Sequence, residues 1–189
     1  MIQGRQAVFG EVDEDPKDQR TTSLDLVNHG RSYLRAAEIL LPYVDRNRDD
    51  SLEFQDPVIF LALHGVELFL KGFLRAQGCT VDRLRTRYGH QLGKLLRASI
   101  RIGLANHLPD LAELQRYVGT YGPTYASKGF EYLKTGRGLL LEQGVMQEAR
   151  RLHGAVLPIC FRAASGEDLT GFRLDEAKLD LEGRAVIRE

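Results

Sequence analysis

The pattern of apolar and polar positions divides this chain into five segments with helical periodicity. Apolar residues recurring every three or four positions predict helices over 23–45, 56–77, 89–104, 109–121 and 139–164. The second segment is apolar nearly all round, from Val58 through Phe60, Leu70 and Phe73 to Leu74. A helix of that kind belongs at the centre of a bundle. We therefore expect an all-α fold, an antiparallel helical bundle of about five helices.

Capping and breaking residues set the expected helix ends. Thr22 with Asp25 resembles a capping box, and Asp56-Pro57 offers an N-cap and a first-turn proline. Gly78 is expected to end the second helix, and Gly122-Pro123 to end the fourth. Pro158 is expected to kink the fifth helix or end it early.

The segments outside the bundle are more polar. Residues 1–20 read as a polar, acidic arm, 21–165 as the bundle and 166–189 as a tail. In the tail, apolar and polar residues alternate from Lys178 and are followed by Gly183, a pattern that is typical of a short strand with a turn. The chain has 189 residues and a formal net charge of zero, which excludes a global attraction to nucleic acid or acidic membrane.

The start of the chain has no signal-peptide pattern, and Cys79 and Cys160 have no metal-ligand spacing. We therefore expect a cytoplasmic protein with no membrane contact, metal or cofactor.

Three polar residues interrupt the apolar second helix. His64, Glu67 and Lys71 are spaced by three and four positions and therefore share one face of the helix, which we call the polar seam. One interpretation is an i,i+4 ion pair between Glu67 and Lys71 on the least buried edge. The other is a seam that faces a partner subunit or lines a site.

A basic stretch without any acid follows that helix. It contains six basic residues and no acid, and they are Arg83, Arg85, Arg87, Lys94, Arg97 and Arg101. His90, Lys94, Arg97 and Arg101 are spaced as one helical stripe opposite a leucine face. Such a stripe is either a solvated helix face or a phosphate-binding surface. His90 at the helix start either helps to cap the first turn or moves protons in phosphate chemistry.

At these residues the chain resembles the HEPN superfamily of small helical-bundle domains. The resemblance rests on an H-x-x-E-x-x-x-K helix at His64, Glu67 and Lys71, a glycine turn, and the helix start Gly89-His90-Gln91-Leu92. Many members are metal-independent ribonucleases, often toxins or defence effectors, that act as homodimers. Their R-x4-6-H motif matches Arg85 and His90 here with four intervening residues, and Arg83 and His90 with six. Arg101 and His107 also fit the spacing.

The resemblance implies roles for these side chains. The RNA 2′-hydroxyl would attack the adjacent phosphate, with His90 moving protons and Arg85 stabilising the phosphorane. Arg83, Arg87, Lys94, Arg97 and Arg101 would bind substrate. Ribonuclease members often place Asn, Asp or His after the arginine, whereas Thr86 follows Arg85. This departure leaves open a non-catalytic domain that binds RNA, nucleotides or a partner such as a nucleotidyltransferase-like protein.

Overall fold

The computed structural model describes residues 20–46, 52–130 and 144–166, and these ranges contain six α-helices and no strand. The helices are α1 Ser23–Arg46, α2 Leu52–Ala76, α3 Val81–Arg83, α4 Leu92–Arg101, α5 Ala112–Ala126 and α6 Gly144–Ser165. A π-helical turn, Leu84–Tyr88, follows α3, and a 3-10 turn, Leu104–Asn106, follows α4. The all-α class is confirmed, and the five longer helices correspond to the five predicted segments. The expected acidic arm up to residue 19 and the expected β element of the tail lie outside the described residues.

Helix α2 lies at the centre of the bundle. It packs against α1 along most of its length, against α6, and against α4 and α5. Phe69, Leu70 and Leu74 are fully buried, and Leu68, which projects from the opposite side of the helix, is only 7% exposed, so buried side chains occupy more than half of the helix circumference. This arrangement explains why the helix is apolar nearly all round, as the sequence predicts.

The same helix has the composition of a membrane span. Within the described residues, Gln55–Ala76 is long and apolar enough to cross a bilayer, and 72% of its most apolar window is buried inside the bundle. Because a bundle's core helix shows the same hydropathy, this window is weak evidence for a membrane location.

One predicted helix start is confirmed by its hydrogen bonds, and one predicted helix end by its backbone conformation. The backbone N–H of Asp25 donates to Thr22 Oγ1 at 3.1 Å, and the N–H of Thr22 donates to Asp25 Oδ2 at 2.8 Å, which completes a capping box. Gly78 follows α2 with a φ of +92°, the left-handed conformation that favours glycine.

Two predictions from helix-breaking residues are wrong. Helix α2 begins at Leu52 rather than at Asp56, and Pro57 lies inside it. A proline near a helix start removes one backbone donor, and the burial of Gln55 and Val58 favours the extra turn. Helix α6 does not end early at Pro158 but continues to Ser165, next to the predicted end at residue 164, and the alternative of a kink at Pro158 stays a prediction.

The second wrong end concerns α5, which continues through Gly122-Pro123 to Ala126. Tyr121 and Tyr125 on either side of this pair are buried, so packing outweighs the low helix propensity of the glycine and proline. The backbone donor missing at Pro123 would bond to the carbonyl of Gly119, which is exposed to water.

The third predicted helix begins later than expected. Helix α4 starts at Leu92, and His90 lies in the turn before it rather than within it. Leu92, Leu95 and Leu96 face the core as predicted. The basic residues on the other face of α4 remain exposed.

Helices α1 and α2 approach each other closely at Gly72. A Cβ on Gly72 would lie 2.7 Å from Val27 Cγ2 and 3.0 Å from the backbone oxygen of Ser23. Such distances leave no room for a methyl group unless the helices separate.

We therefore expect Gly72→Ala to lower the free energy of unfolding by about 1–3 kcal/mol, the usual cost of overpacking. Gly154→Ala is the matched control, because a Cβ there meets nothing within 4 Å, and it should raise stability by up to about 1 kcal/mol. Urea denaturation of both variants measures the difference. Equal stability of the two variants would contradict the close contact.

Candidate functional site

The polar seam of α2 centres on a buried carboxylate. Glu67 is only 1% exposed, and its Oε1 accepts a hydrogen bond from Lys71 Nζ at 2.6 Å. The predicted ion pair is therefore present, but it is not on an exposed edge as the first interpretation held, since the Lys71 side chain is only 14% exposed. A buried charge must be paired and hydrogen-bonded to avoid a cost of several kcal/mol.

Two further donors reach Glu67 from other parts of the chain. Tyr125, on α5, donates its hydroxyl proton to Glu67 Oε2 at 2.7 Å, and His90 Nδ1 lies 3.0 Å from the same oxygen. His64 Nδ1 lies 2.7 Å from the Tyr125 hydroxyl. We call His64, Glu67, Lys71, His90 and Tyr125 the Glu67 network.

The proton positions in this network follow from the ionised carboxylate. Burial works to raise the pKa of Glu67, but the Lys71 ammonium and the hydrogen bonds from Lys71, Tyr125 and His90 outweigh it, so the pKa lies below its usual value. A carboxylate has no proton to give, so His90 donates through Nδ1–H. The Nε2 atom of His90 therefore carries the lone pair in the neutral ring.

The same logic assigns the tautomer of His64. The Tyr125 hydroxyl has one proton and donates it to Glu67, so it accepts from Nδ1–H of His64. Burial lowers the pKa of His64 although the Glu67 carboxylate opposes that effect, so the ring is neutral at pH 7. Tyr33 and Phe60 pack against the ring, with centroids 4.3 and 5.8 Å from it.

His90 is the exposed member of the network. Its side chain is 57% exposed, while its Nδ1 is held by a buried carboxylate. In many active sites, a histidine transfers protons through one ring nitrogen while a carboxylate bound to the other nitrogen orients the ring. The network thus offers an oriented acid–base group at the protein surface.

The six basic residues of the predicted stretch fall into two groups. Arg85 Nη2 pairs with Asp82 Oδ1 at 2.9 Å, so the acid just before the stretch neutralises part of it. Arg83 is half-buried, and Arg87 is exposed with its guanidinium 6.0 Å from the Tyr88 ring centroid.

The other group lies on α4, and its positive charges are not neutralised by acids of the described residues. Lys94, Arg97 and Arg101 are exposed and form no ion pair with any residue in the described ranges. We call these three residues the basic face. It starts beside the Glu67 network, because His90 lies two residues before α4.

The structure gives the predicted catalytic pair separate partners. Arg85 contacts Asp82, whereas His90 contacts Glu67 and packs edge-on against the Tyr125 ring. His90 is thereby joined to the polar seam, which the sequence treated as a separate feature. Tyr125 is a member of the network that was not predicted from the sequence. A signal for it existed, because Tyr125 follows Val118 and Tyr121 at helical spacing and a buried tyrosine hydroxyl needs a hydrogen-bond partner.

No set of metal ligands accompanies these groups. Among residues 20–46, 52–130 and 144–166, no three His, Cys, Asp or Glu side chains are arranged to hold a metal ion.

Comparison with protein-family models, with curated proteins and with solved structures found no match to this chain.

We expect Glu67→Ala to lower the free energy of unfolding by about 3–5 kcal/mol, because it leaves Lys71 buried without its counter-charge. Glu113→Ala, which breaks the exposed pair with Arg116, should cost no more than about 1 kcal/mol. Chemical denaturation at pH 7 measures both. Similar losses in the two variants would contradict a buried, paired Glu67.

The pH dependence of the same variants provides a second readout. Since the pKa of Glu67 is lower in the folded than in the unfolded chain, its stabilising contribution is present above the unfolded pKa of about 4.5 and is lost as the pH falls through the folded value. Acid should therefore destabilise Glu67→Ala less steeply than the wild type over this range.

Proposed function

We propose that this chain is an HEPN-like cytoplasmic protein that binds RNA or nucleotide phosphates on the basic face. The observation that carries the proposal is that Lys94, Arg97 and Arg101 point outward from one helix without ion-pair partners in the described ranges. Several arginines elsewhere do pair with acids: Arg35 and Arg150 both pair with Glu38, and Arg151 pairs with Glu148. Unpaired cations on one surface attract phosphate groups and release counterions when they bind them.

The Glu67 network supports a catalytic form of this function, a metal-independent ribonuclease of toxin or defence type. His90 Nε2 is free to take the proton of a 2′-hydroxyl while Glu67 holds the ring in place. Arg85 would leave Asp82 to stabilise the phosphorane, and a homodimer would combine two such sites. Attack of the 2′-oxygen on phosphorus would expel the 5′-oxygen and leave a 2′,3′-cyclic phosphate.

A non-catalytic interaction domain is the second candidate function. The burial of Glu67 and its contacts with Tyr125 and His90 join three separate parts of the fold, which is a structural role that needs no substrate. Such a domain would dimerise or work with a partner such as a nucleotidyltransferase-like protein.

The triple variant Lys94→Gln/Arg97→Gln/Arg101→Gln tests binding. It removes up to three phosphate contacts, so we expect RNA affinity to fall at low salt and the salt dependence, log K against log salt, to become shallower by about 2. The control Arg35→Gln/Arg150→Gln/Arg162→Gln removes the same charge from α1 and α6. Fluorescence anisotropy with a single-stranded RNA measures both, and equal loss in the two variants would contradict a localised basic face.

His90→Ala tests catalysis. If the domain is a ribonuclease, the wild type cleaves RNA in EDTA to 2′,3′-cyclic ends, and His90→Ala slows cleavage by about 10²–10⁴-fold, the usual contribution of a general base. His107→Ala is the matched control, because His107 is exposed and also follows an arginine at the permitted spacing. RNA that stays intact with the wild-type dimer, while the basic face still binds it, would favour the non-catalytic candidate.

A further inference from the structure

A groove runs along the bundle surface between α4 and α5. Its volume is about 450 Å³, within the range of roughly 300–1,000 Å³ common for sites that hold small molecules. Its walls carry the cations Lys94 and Arg97, the amides Gln91 and Gln115, and the accessible apolar side chains Ile100 and Pro123, and the nearly buried Leu96 and Val118 also line it. No acid lines it.

The chemistry of the groove is that of an amphipathic anion site. Lys94 and Arg97 belong to the basic face and have no ion-pair partner in the described part of the chain. Three glycines, Gly93, Gly119 and Gly122, line the groove and add no side chains to it. The apolar wall between the two amides is therefore open to a flat, partly apolar group.

We propose that this groove binds the base and sugar of one nucleotide whose phosphate lies on Lys94 and Arg97. The inference rests on the proposed function and names the ligand class for the basic face. A phosphate group alone has no use for an apolar wall, whereas a nucleobase can pack its face against the accessible side chains of Ile100 and Pro123. The amides of Gln91 and Gln115 can donate to and accept from the polar edge of a base that is not paired in a duplex.

The groove adjoins the Glu67 network at two points along the chain. Gln91 directly follows His90, and Ala126, which also lines the groove, directly follows Tyr125. A nucleotide held there would belong to a single-stranded RNA whose backbone passes the oriented histidine, or it would be a free mononucleotide. The two sources share one chemistry, a nucleobase with an attached phosphate.

The variant Gly119→Leu tests the groove with little risk to the fold. A Cβ on Gly119 meets nothing within 4 Å, and leucine is a better helix former than glycine, so the added side chain occupies groove space while α5 stays intact. Gly154→Leu is the matched control, since Gly154 is also an exposed helical glycine with an open Cβ position and lies on α6. Gln115→Glu is a second variant of equal size that places a negative charge beside Lys94 and Arg97.

Calorimetric titrations with AMP, GMP, CMP, UMP, inorganic phosphate and polyphosphate give the readout. We expect the wild type to bind at least one nucleoside monophosphate roughly tenfold more tightly than inorganic phosphate, and Gly119→Leu to remove that preference. Polyphosphate binding should stay within about twofold in Gly119→Leu, because the basic face is intact. Gly154→Leu should behave as the wild type, and Gln115→Glu should weaken nucleotide binding.

Each contrary result identifies what fails. If Gly119→Leu keeps the wild-type nucleotide preference, the groove is not the base site, although charge-dependent RNA binding would still uphold the basic face. If polyglutamate displaces polyphosphate and nucleotides with equal ease, the groove recognises acidic peptide rather than a base. If the wild type binds neither RNA nor polyphosphate, the proposed function fails together with this inference. Where nucleotide binding is found, titration of a short RNA against its free mononucleotides distinguishes the two sources of the ligand.

Discussion

The burial of the Glu67 carboxylate is the constraint on which the candidate site depends. A carboxylate that is 1% exposed is tolerated only when charged and neutral donors satisfy both its oxygens. Lys71 comes from the same helix, one turn further on, but Tyr125 and His90 come from 58 and 23 residues away. Satisfying this one group therefore fixes α5 and the turn before α4 against α2. The packing of these elements and the assembly of the network therefore depend on the same contacts.

The path of the chain from α2 to α4 follows from the same constraint. After Gly78 the chain makes the short helix Val81–Arg83 and the π-helical turn Leu84–Tyr88, which buries Leu84 and Tyr88 and ends at Gly89 with a φ of +51°. Single π-helical turns occur often at functional sites, because the extra residue redirects the side chains that follow. Here the next residue is His90. Its placement then sets the start of α4, and with it the direction of the basic face and the groove.

The sequence predicted the bundle better than it predicted the site, for physical reasons. Periodicity reports which face of a helix is buried, so the central position of α2 and the five longer helices could be recognised. Gly122-Pro123 and Asp56-Pro57 misled because a local breaking signal of a few kcal/mol loses to the burial of neighbours such as Tyr121 and Val58. Spacing along α2 predicted that Glu67 and Lys71 pair. It carries no information on contacts between distant segments, so the meeting of Glu67 with Tyr125 and His90 could not be derived from it.

Lys71 decides how the network and the basic face act together. A lone carboxylate next to a phosphate-binding surface would repel the ligand, and in a partly buried position that repulsion is only weakly screened. With the Lys71 ammonium 2.6 Å from Glu67 Oε1, the pair is close to neutral when seen from the surface. The positive potential of Lys94, Arg97 and Arg101 is then left without compensation by the acid that orients His90. One buried ion pair thus holds the histidine in place without weakening the positive potential of the basic face.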